Sequence, residues 1–552
     1  MKDTTMVTFD RLLTHSSTGW QWQLPEIFNI AHACLRRHVE HNNGEKTALI
    51  VEDDLIGTRE LSYAALDTLS GKFVATLRAL GINAGDRVLI RLPNATDYPV
   101  SFFGCLKFGA VAVPTSTLLS PGEVAYIAAD SGARVMVIHK SMWAELRAVV
   151  NELSPLEAVL LAGTGDMPAD VEHAGIQVLD LEALLHSSPS DDAIVASSPN
   201  DPAYLVYTSG TTGYPKGVLH AHRSLLGRQP ASHFWFDFRE GDRILHSGKF
   251  NWTYVLGTGL MDPLFHGHTV VVHEGKSDAS VWPKLIQKHS CTIFIGVPTI
   301  YRQILQKTGF TGADVPSLRH CMSAGEHLSD EMLLGWRQRF GRDIYEAIGM
   351  SECSYYISQN NQKPIRPGAA GFIQPGHDVA LLNEHLQPAS AGDEGMLAIP
   401  ESDPGLFLGY WQLPEETAKS RRGGYFLTGD YARMDEDGYI WFIGRKDDII
   451  NTFGYRVSPH EIERVIKTHP GVADCVALGE PSGKDKTLVS VCVIRTPDAT
   501  ASEQDILAFG ASNLAKYKAP RRVHFYQDFP RTSNGKVLRK QLLAELADKQ
   551  TA

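Results

Sequence analysis

The chain has 552 residues, of which 43% are hydrophobic and 21% charged, and its formal net charge is −11. That length exceeds what one hydrophobic core ordinarily serves, so a globular protein of two or more domains is expected. The acidic balance, with no Lys/Arg block, argues against nucleic acid or an anionic membrane surface as partner.

Met1 to Gln23 is polar and lacks an apolar h-region, so no signal peptide is expected. Leu66 to Leu80 reads as a helix and Arg87 to Ile90 as a strand. Tyr98 to Leu119 is the most membrane-like stretch, but Gly104, Lys107, Gly109 and Pro114 interrupt it. It reads as a buried helix turning into a strand, with no integral membrane association. Val135 to His139 reads as a further strand. The seven cysteines are dispersed and form no CxxC or Cys/His cluster, which suggests reduced thiols in a cytoplasmic protein.

The apolar run Ala203-Tyr204-Leu205-Val206-Tyr207 reads as a buried strand, and Thr208-Ser209-Gly210-Thr211-Thr212-Gly213-Tyr214-Pro215-Lys216-Gly217 follows it. Glycines let backbone N–H groups turn toward an anion, while hydroxyls and an ammonium add side-chain donors, so this reads as a phosphate-binding loop. It is not a Walker A loop, which needs Gly-Lys followed by Ser or Thr at a helix start. Here Pro215 precedes the lysine and Gly217 follows it.

Thr269 to His273 reads as a strand and Ser280 to His289 as a helix. The alternation from about residue 45 to 300 predicts α/β layers with mainly parallel sheets. Between about 365 and 443, short strands rich in Gly, Pro and Asp predict a small barrel or antiparallel sheet. The charged segment Arg445 to Asp448 then opens a last α+β unit. It contains helices Pro459–Thr468 and Ser502–Leu514 and strands Val472–Leu478 and Val489–Ile494. The expected domains are therefore 1–446 and 447–552.

The loop from Tyr207 to Gly217 resembles the signature of the adenylate-forming enzymes: acyl- and aryl-CoA synthetases, luciferases and peptide-synthetase adenylation domains. Further motifs follow in order. Tyr345 to Glu352 resembles the aromatic/Gly/Thr/Glu motif, with Ser351 where Thr is usual, and Tyr425 to Asp430 resembles the Thr-Gly-Asp motif. Gly444 to Asp448 and Gly454 to Arg456 resemble the hinge segment, and Pro530 to Lys536 the C-terminal lysine motif. The motifs look most like those of benzoate-type and medium-chain acyl-CoA ligases. The resemblance implies an α/β fold: a large N-terminal domain of two layered α/β subdomains plus a small β-barrel, then a small mobile α+β C-terminal domain.

Adenylation brings a carboxylate to a polyanion, and two like unit charges ~4 Å apart repel by about 4 kcal/mol at an effective dielectric of ~20. The chemistry therefore needs cations, an anion clamp for pyrophosphate and a metal ion. The resemblance assigns the clamp to Thr208, Ser209, Gly210, Thr211, Thr212, Gly213 and Lys216. It assigns Mg²⁺ to Glu352 and the cation of the first step to Lys536, a lysine whose acylation silences relatives. It places Asp430 on the ribose, Arg445 on ribose or phosphate, and Arg456 on the nucleotide phosphate. Gly325, Glu326, His327, Glu346, Ala347, Ile348, Gly349, Met350 and Ser351 are expected around the nucleotide.

The implied reaction has two half-reactions. ATP and a carboxylate give acyl-adenylate and pyrophosphate, and a thiol then releases AMP while the C-terminal domain swings about Asp447. Phe453 and Gly454 are expected to line the thiol tunnel. Because the sequence ends shortly after Lys536, no carrier domain is expected, and coenzyme A is the expected thiol. A separate carrier protein is the alternative, and a non-catalytic nucleotide-binding regulator a remoter one. A homodimer is compatible with the sequence, which does not display surface patches.

Gly349 stands where acetate-specific relatives have tryptophan, so it is expected to leave space for an acid larger than acetate. Ile348 and the Ser323-Ala324-Gly325-Glu326 run resemble aryl-CoA ligases of the benzoate type. Trp252, Tyr254 and Ala324 are expected at the acyl pocket; Phe250 is either pocket or core, and Val297 to Tyr301 is expected to contribute.

Overall fold

The computed structural model describes residues 12–16, 19–147, 155–169, 175–208, 215–276, 278–325, 328–446, 448–452, 455–482, 487–497, 500–531 and 537–551. The chain divides into two compact units. The first comprises 1–366, 371–378 and 400–424, and the second 367–370, 379–399 and 425–552. The boundary at 447 expected from the sequence falls inside the second unit.

Two large sheets form the first unit, which accounts for its alternating strand and helix pattern. An eight-stranded sheet runs in the order 409–410, 216–221, 202–208, 111–114, 87–91, 133–139, 158–162 and 177–180. From Pro202–Thr208 onward its neighbours are parallel, while Lys216–Ala221 pairs antiparallel with Pro202–Thr208. The nine-stranded sheet has a parallel centre: 344–348, 320–324, 293–295, 243–246, 269–274 and 47–53. Antiparallel strands finish both of its edges.

The central strands are apolar on both faces because each face is covered. Leu89, Val137, Leu160, Leu245, Val271 and Phe294 are all fully buried. Residues 98–119 form helix Asp97–Phe108 and strand Val111–Pro114, as expected, with Gly109 ending the helix at φ +87°. Lys107, buried in that helix, is matched by the Asp67 carboxylate at 2.5 Å and donates to the Asp67 carbonyl at 2.7 Å. Among the described residues, no helix is long and apolar enough to cross a membrane.

The second unit begins with antiparallel strands 380–382 and 394–400 and the hairpin Tyr425–Met434/Ile440–Arg445. Its C-terminal part packs helices Pro459–Ile466 and Glu503–Asn513 on strands Val472–Pro481, Thr487–Arg495 and Arg522–Phe525. Ser458 and Ser502 cap the two helices, the latter in a reciprocal box with Asp505. A buried ion pair braces this part: Arg539 Nη2 lies 2.6 Å from Glu463 Oε1, which also accepts the Ala477 N–H at 2.8 Å. Burial alone would raise the Glu463 carboxyl, but the Arg539 guanidinium, together with His460 and Lys467, outweighs it and holds the group at about 2.

Candidate active site

Parallel strands end at one edge of the nine-stranded sheet, and in open α/β sheets ligands bind beyond such carboxyl ends. Strands Arg243–His246, His320–Ala324 and Ile344–Ile348 finish there in register, with Met322 beside Tyr345 and Ala324 beside Ala347. The residues just past those ends, Gly325 and Gly349 to Glu352, include much of the expected nucleotide set. Gly325 has φ +93°, and a Cβ there would meet nothing within 4 Å, so the conformation accounts for the glycine.

The turn after Ile348 aims Glu352. Met350 N–H donates to the Cys353 carbonyl at 2.9 Å, and His220 Nε2 donates to the Ser351 carbonyl at 2.7 Å. Tyr410, which pairs with Val218 across the edge of the other sheet, donates its hydroxyl to Glu352 Oε1 at 2.8 Å. The Lys216 ammonium lies 5.7 Å from the Tyr410 ring centroid and 3.0 Å from Glu416 Oε2. One tyrosine thus joins the two charged residues that the sequence separated by more than a hundred positions. Tyr410 carried no sequence signal of its own, because its role depends on pairing two strands distant in the chain.

Thr208 sits opposite Lys216 in the antiparallel ladder, so the intervening loop links two strands of one hairpin. That agrees with the exclusion of a Walker A loop, which feeds a helix. Ser209, Gly210, Thr211, Thr212 and Gly213 lie outside the described residues, as do Glu326, His327, Asp447, Phe453, Gly454 and Lys536. Arg456 is described only as backbone, in strand Tyr455–Val457.

Glu346 is buried, accepts the Leu328 N–H at 3.3 Å, and is pushed up to about 8 by burial. Burial thus favours its neutral form, which is able to donate as well as accept. In the second unit, Asp430 faces Arg445 across the hairpin, with Arg445 Nε 3.6 Å from Asp430 Oδ1. The Asp430 N–H donates to Thr428 Oγ1 at 3.0 Å, which fixes the turn of the Thr-Gly-Asp motif.

The acyl-pocket expectations divide. Tyr254 and Ala324 belong to one cluster with Trp235, Phe236, Tyr345, Tyr355 and Ala347, the last expected at the nucleotide, whereas half-buried Trp252 stands outside it. Trp235 stacks near Tyr254 at 6.4 Å between centroids and packs on Tyr355 at 5.0 Å. Phe250 is core: it stacks on Tyr98 at 5.2 Å and is 1% exposed. Tyr301 is core too, in the cluster on the sheet's other face, its hydroxyl 2.8 Å from the Met322 carbonyl. The reading of Gly349 as open pocket space is corrected. A Cβ there would lie 2.4 Å from the Tyr355 nitrogen, so backbone fills the space and the glycine permits that close approach. Trp235 and Tyr355, buried in that cluster, were not singled out in the sequence, since aromatic residues in apolar segments carry no mark of what they pack against.

A single oriented carboxylate suits Mg²⁺, which keeps waters and takes its remaining ligands from phosphates. Glu352 fits that demand. Among the described residues, no cluster of three or more His, Cys, Asp or Glu could hold a metal by itself.

A family model described as AMP-binding enzyme matches residues 35–411, and one described as AMP-binding enzyme C-terminal domain matches 461–536. The chain belongs to the AMP-binding enzyme family. It is 32% identical over 527 residues to the 3-hydroxybenzoate–CoA/4-hydroxybenzoate–CoA ligase of Thauera aromatica, covering 95% of this chain and 98% of that one. It is 30% identical to the mitochondrial acyl-coenzyme A synthetase ACSM3 of Homo sapiens, covering 87% and 82%. The crystal structure of the anthranilate CoA ligase AuaEII in complex with anthranoyl-AMP superposes with a TM-score of 0.86 at 30% identity, covering 96% and 99%. As a member of this family the chain is an acid–thiol ligase of the AMP-forming kind.

Proposed function

We propose that this member ligates an aromatic carboxylate to coenzyme A. The observation that carries the reading is the registered pair Ala324/Ala347, two small side chains side by side at the strand ends among Trp235, Tyr254 and Tyr355. Small residues flanked by aromatic rings suit a planar ring, whose faces and edges pack against theirs. Two of the relatives above are named for hydroxybenzoate and anthranilate, both aromatic acids.

In this reading Lys216 and the hydroxyl-rich loop hold the leaving pyrophosphate. Glu352, oriented by Tyr410, holds Mg²⁺, which when bound offsets phosphate charge. Neutral Glu346 offers a donor and an acceptor to the edge of the base. Lys536 supplies the cation that draws carboxylate and α-phosphate together, and CoA attacks the resulting mixed anhydride. Asp447 serves as the hinge between the two half-reactions; an Asp447→Pro variant is expected to keep adenylation and lose thioester formation. The aromatic preference is tested by ATP–pyrophosphate exchange with benzoate, the hydroxybenzoates, acetate and octanoate. Exchange with the aromatic acids supports it, and exchange confined to the aliphatic acids refutes it.

A further inference from the structure

His246 closes strand Arg243–His246, is 1% exposed, and abuts the aromatic cluster of the acyl site. Its Nδ1 accepts the Gly248 N–H at 2.9 Å, which places the ring proton on Nε2. Burial pushes the imidazole down to about 3, so at neutral pH it is uncharged and Nε2–H is a donor. Tyr254 packs edge-on against it, with ring centroids 5.1 Å apart at 73°. The His246 Nε2 and the Tyr254 hydroxyl are both buried, and neither has a hydrogen-bond partner among the described residues.

A buried polar group left unpaired costs roughly 1–3 kcal/mol, and native proteins keep few of them. Of the buried side-chain polar atoms without a partner among the described residues, these two sit on touching rings, beside the core cluster that holds Trp235, Ile295, Met322 and Ala324. A substrate atom that pairs with both removes that cost.

We propose that His246 and Tyr254 select an aromatic carboxylate bearing a ring hydroxyl. This rests on the aromatic reading above and narrows it. The phenolic oxygen accepts from His246 Nε2–H, and its proton is shared with Tyr254 Oη, which donates or accepts as needed. An amino substituent serves poorly, because its lone pair is delocalised into the ring and leaves Nε2–H without an acceptor. An unsubstituted ring leaves both groups unpaired. A site that buries hydrogen-bonding groups for a substrate hydroxyl discriminates against analogues lacking it, more sharply than an apolar pocket can reject an added group.

The test compares kcat/KM for benzoate, 3- and 4-hydroxybenzoate, and 3- and 4-aminobenzoate in the wild type and in the Tyr254→Phe, His246→Phe and His246→Gln variants. The wild type is expected to prefer one hydroxybenzoate over both benzoate and the matching amino acid by about tenfold or more. Tyr254→Phe and His246→Phe are expected to bring the hydroxybenzoate-to-benzoate ratio toward one. His246→Gln, which keeps a donor, should retain part of it. Using a ratio removes general losses of folding or activity. A wild type without the preference, or variants that leave the ratio unchanged while benzoate is still turned over, would overturn the proposal alone. Failure to adenylate any benzoate would instead overturn the aromatic reading beneath it.

Discussion

The Tyr410 hydroxyl donates to Glu352 Oε1 at 2.8 Å while the Tyr410 ring lies 5.7 Å from the Lys216 ammonium. The carboxylate proposed to hold Mg²⁺ is thereby held by the same side chain that lies beside the lysine proposed to bind phosphate. Hydrogen bonds to charged groups contribute about 1.5–3 kcal/mol, which is roughly ten- to a hundredfold in rate when they serve the transition state. Tyr410→Phe should lower kcat/KM for adenylation by that order and raise the Mg²⁺ concentration needed for half-maximal rate. Steady-state kinetics at graded Mg²⁺ checks this; an unchanged Mg²⁺ requirement would remove Tyr410 from the metal site.

Gly349 is held against the Tyr355 backbone, 2.4 Å from where a Cβ would lie. Backbone cannot rotate aside as a side chain does, so Gly349→Ala forces the turn before Glu352 to shift. A loss of about 1–3 kcal/mol in unfolding free energy is expected, together with impaired adenylation of every acid tested. Chemical denaturation and substrate profiling separate this from a pocket effect, which would change only which acids are used.

Glu346 carries its own pH signature. Its carboxyl is pushed up to about 8 in the fold from an ordinary 4.5. Between those values the unfolded chain is ionised there and the folded one is not, so rising pH costs stability at up to roughly 1.4 kcal/mol per unit. Above about 8 the loss is complete. Glu346→Gln stays neutral throughout, so its melting temperature relative to wild type should climb from pH 5 to pH 8. Parallel pH profiles for the two proteins would contradict this.

The opposite sign applies to Glu463, held at about 2 beside Arg539. Its stabilising contribution is full above about 4.5 and is lost as pH falls toward 2, amounting to roughly 3 kcal/mol. Glu463→Gln should be less stable than wild type at neutral pH and should show no such decline between 4.5 and 2. Calorimetry across that range measures it.

The alternation of strands and helices was legible because apolar runs and turn residues are local signals: Arg87–Arg91, Ala133–His139, Thr269–Glu274 and Pro459–Ile466 all stand where the pattern put them. Glu352, Asp430 and Lys216 could be put forward from the sequence because they sit in ordered motifs. Tyr410 and His246 could not. The role proposed for each rests on neighbours brought close by sheet pairing or packing, and neither stands in a motif that announces it. Gly349 was seen but misread, because a glycine's empty side looks the same in a sequence whether substrate or backbone fills it. Phe250 and Tyr301 went to the core for a related reason: an aromatic residue near a motif is compatible with either face of a strand.

One chain is expected to adenylate an aromatic carboxylate and then pass it to CoA. Pyrophosphate and thioester should be followed with ATP, Mg²⁺ and 3- or 4-hydroxybenzoate, with and without CoA, in the wild type and in Lys536→Ala. The account predicts pyrophosphate release by the wild type, aroyl-CoA and AMP only when CoA is present, and loss of pyrophosphate release in Lys536→Ala. Absence of pyrophosphate release with every carboxylate, or release that never yields a thioester when CoA is added, would contradict it.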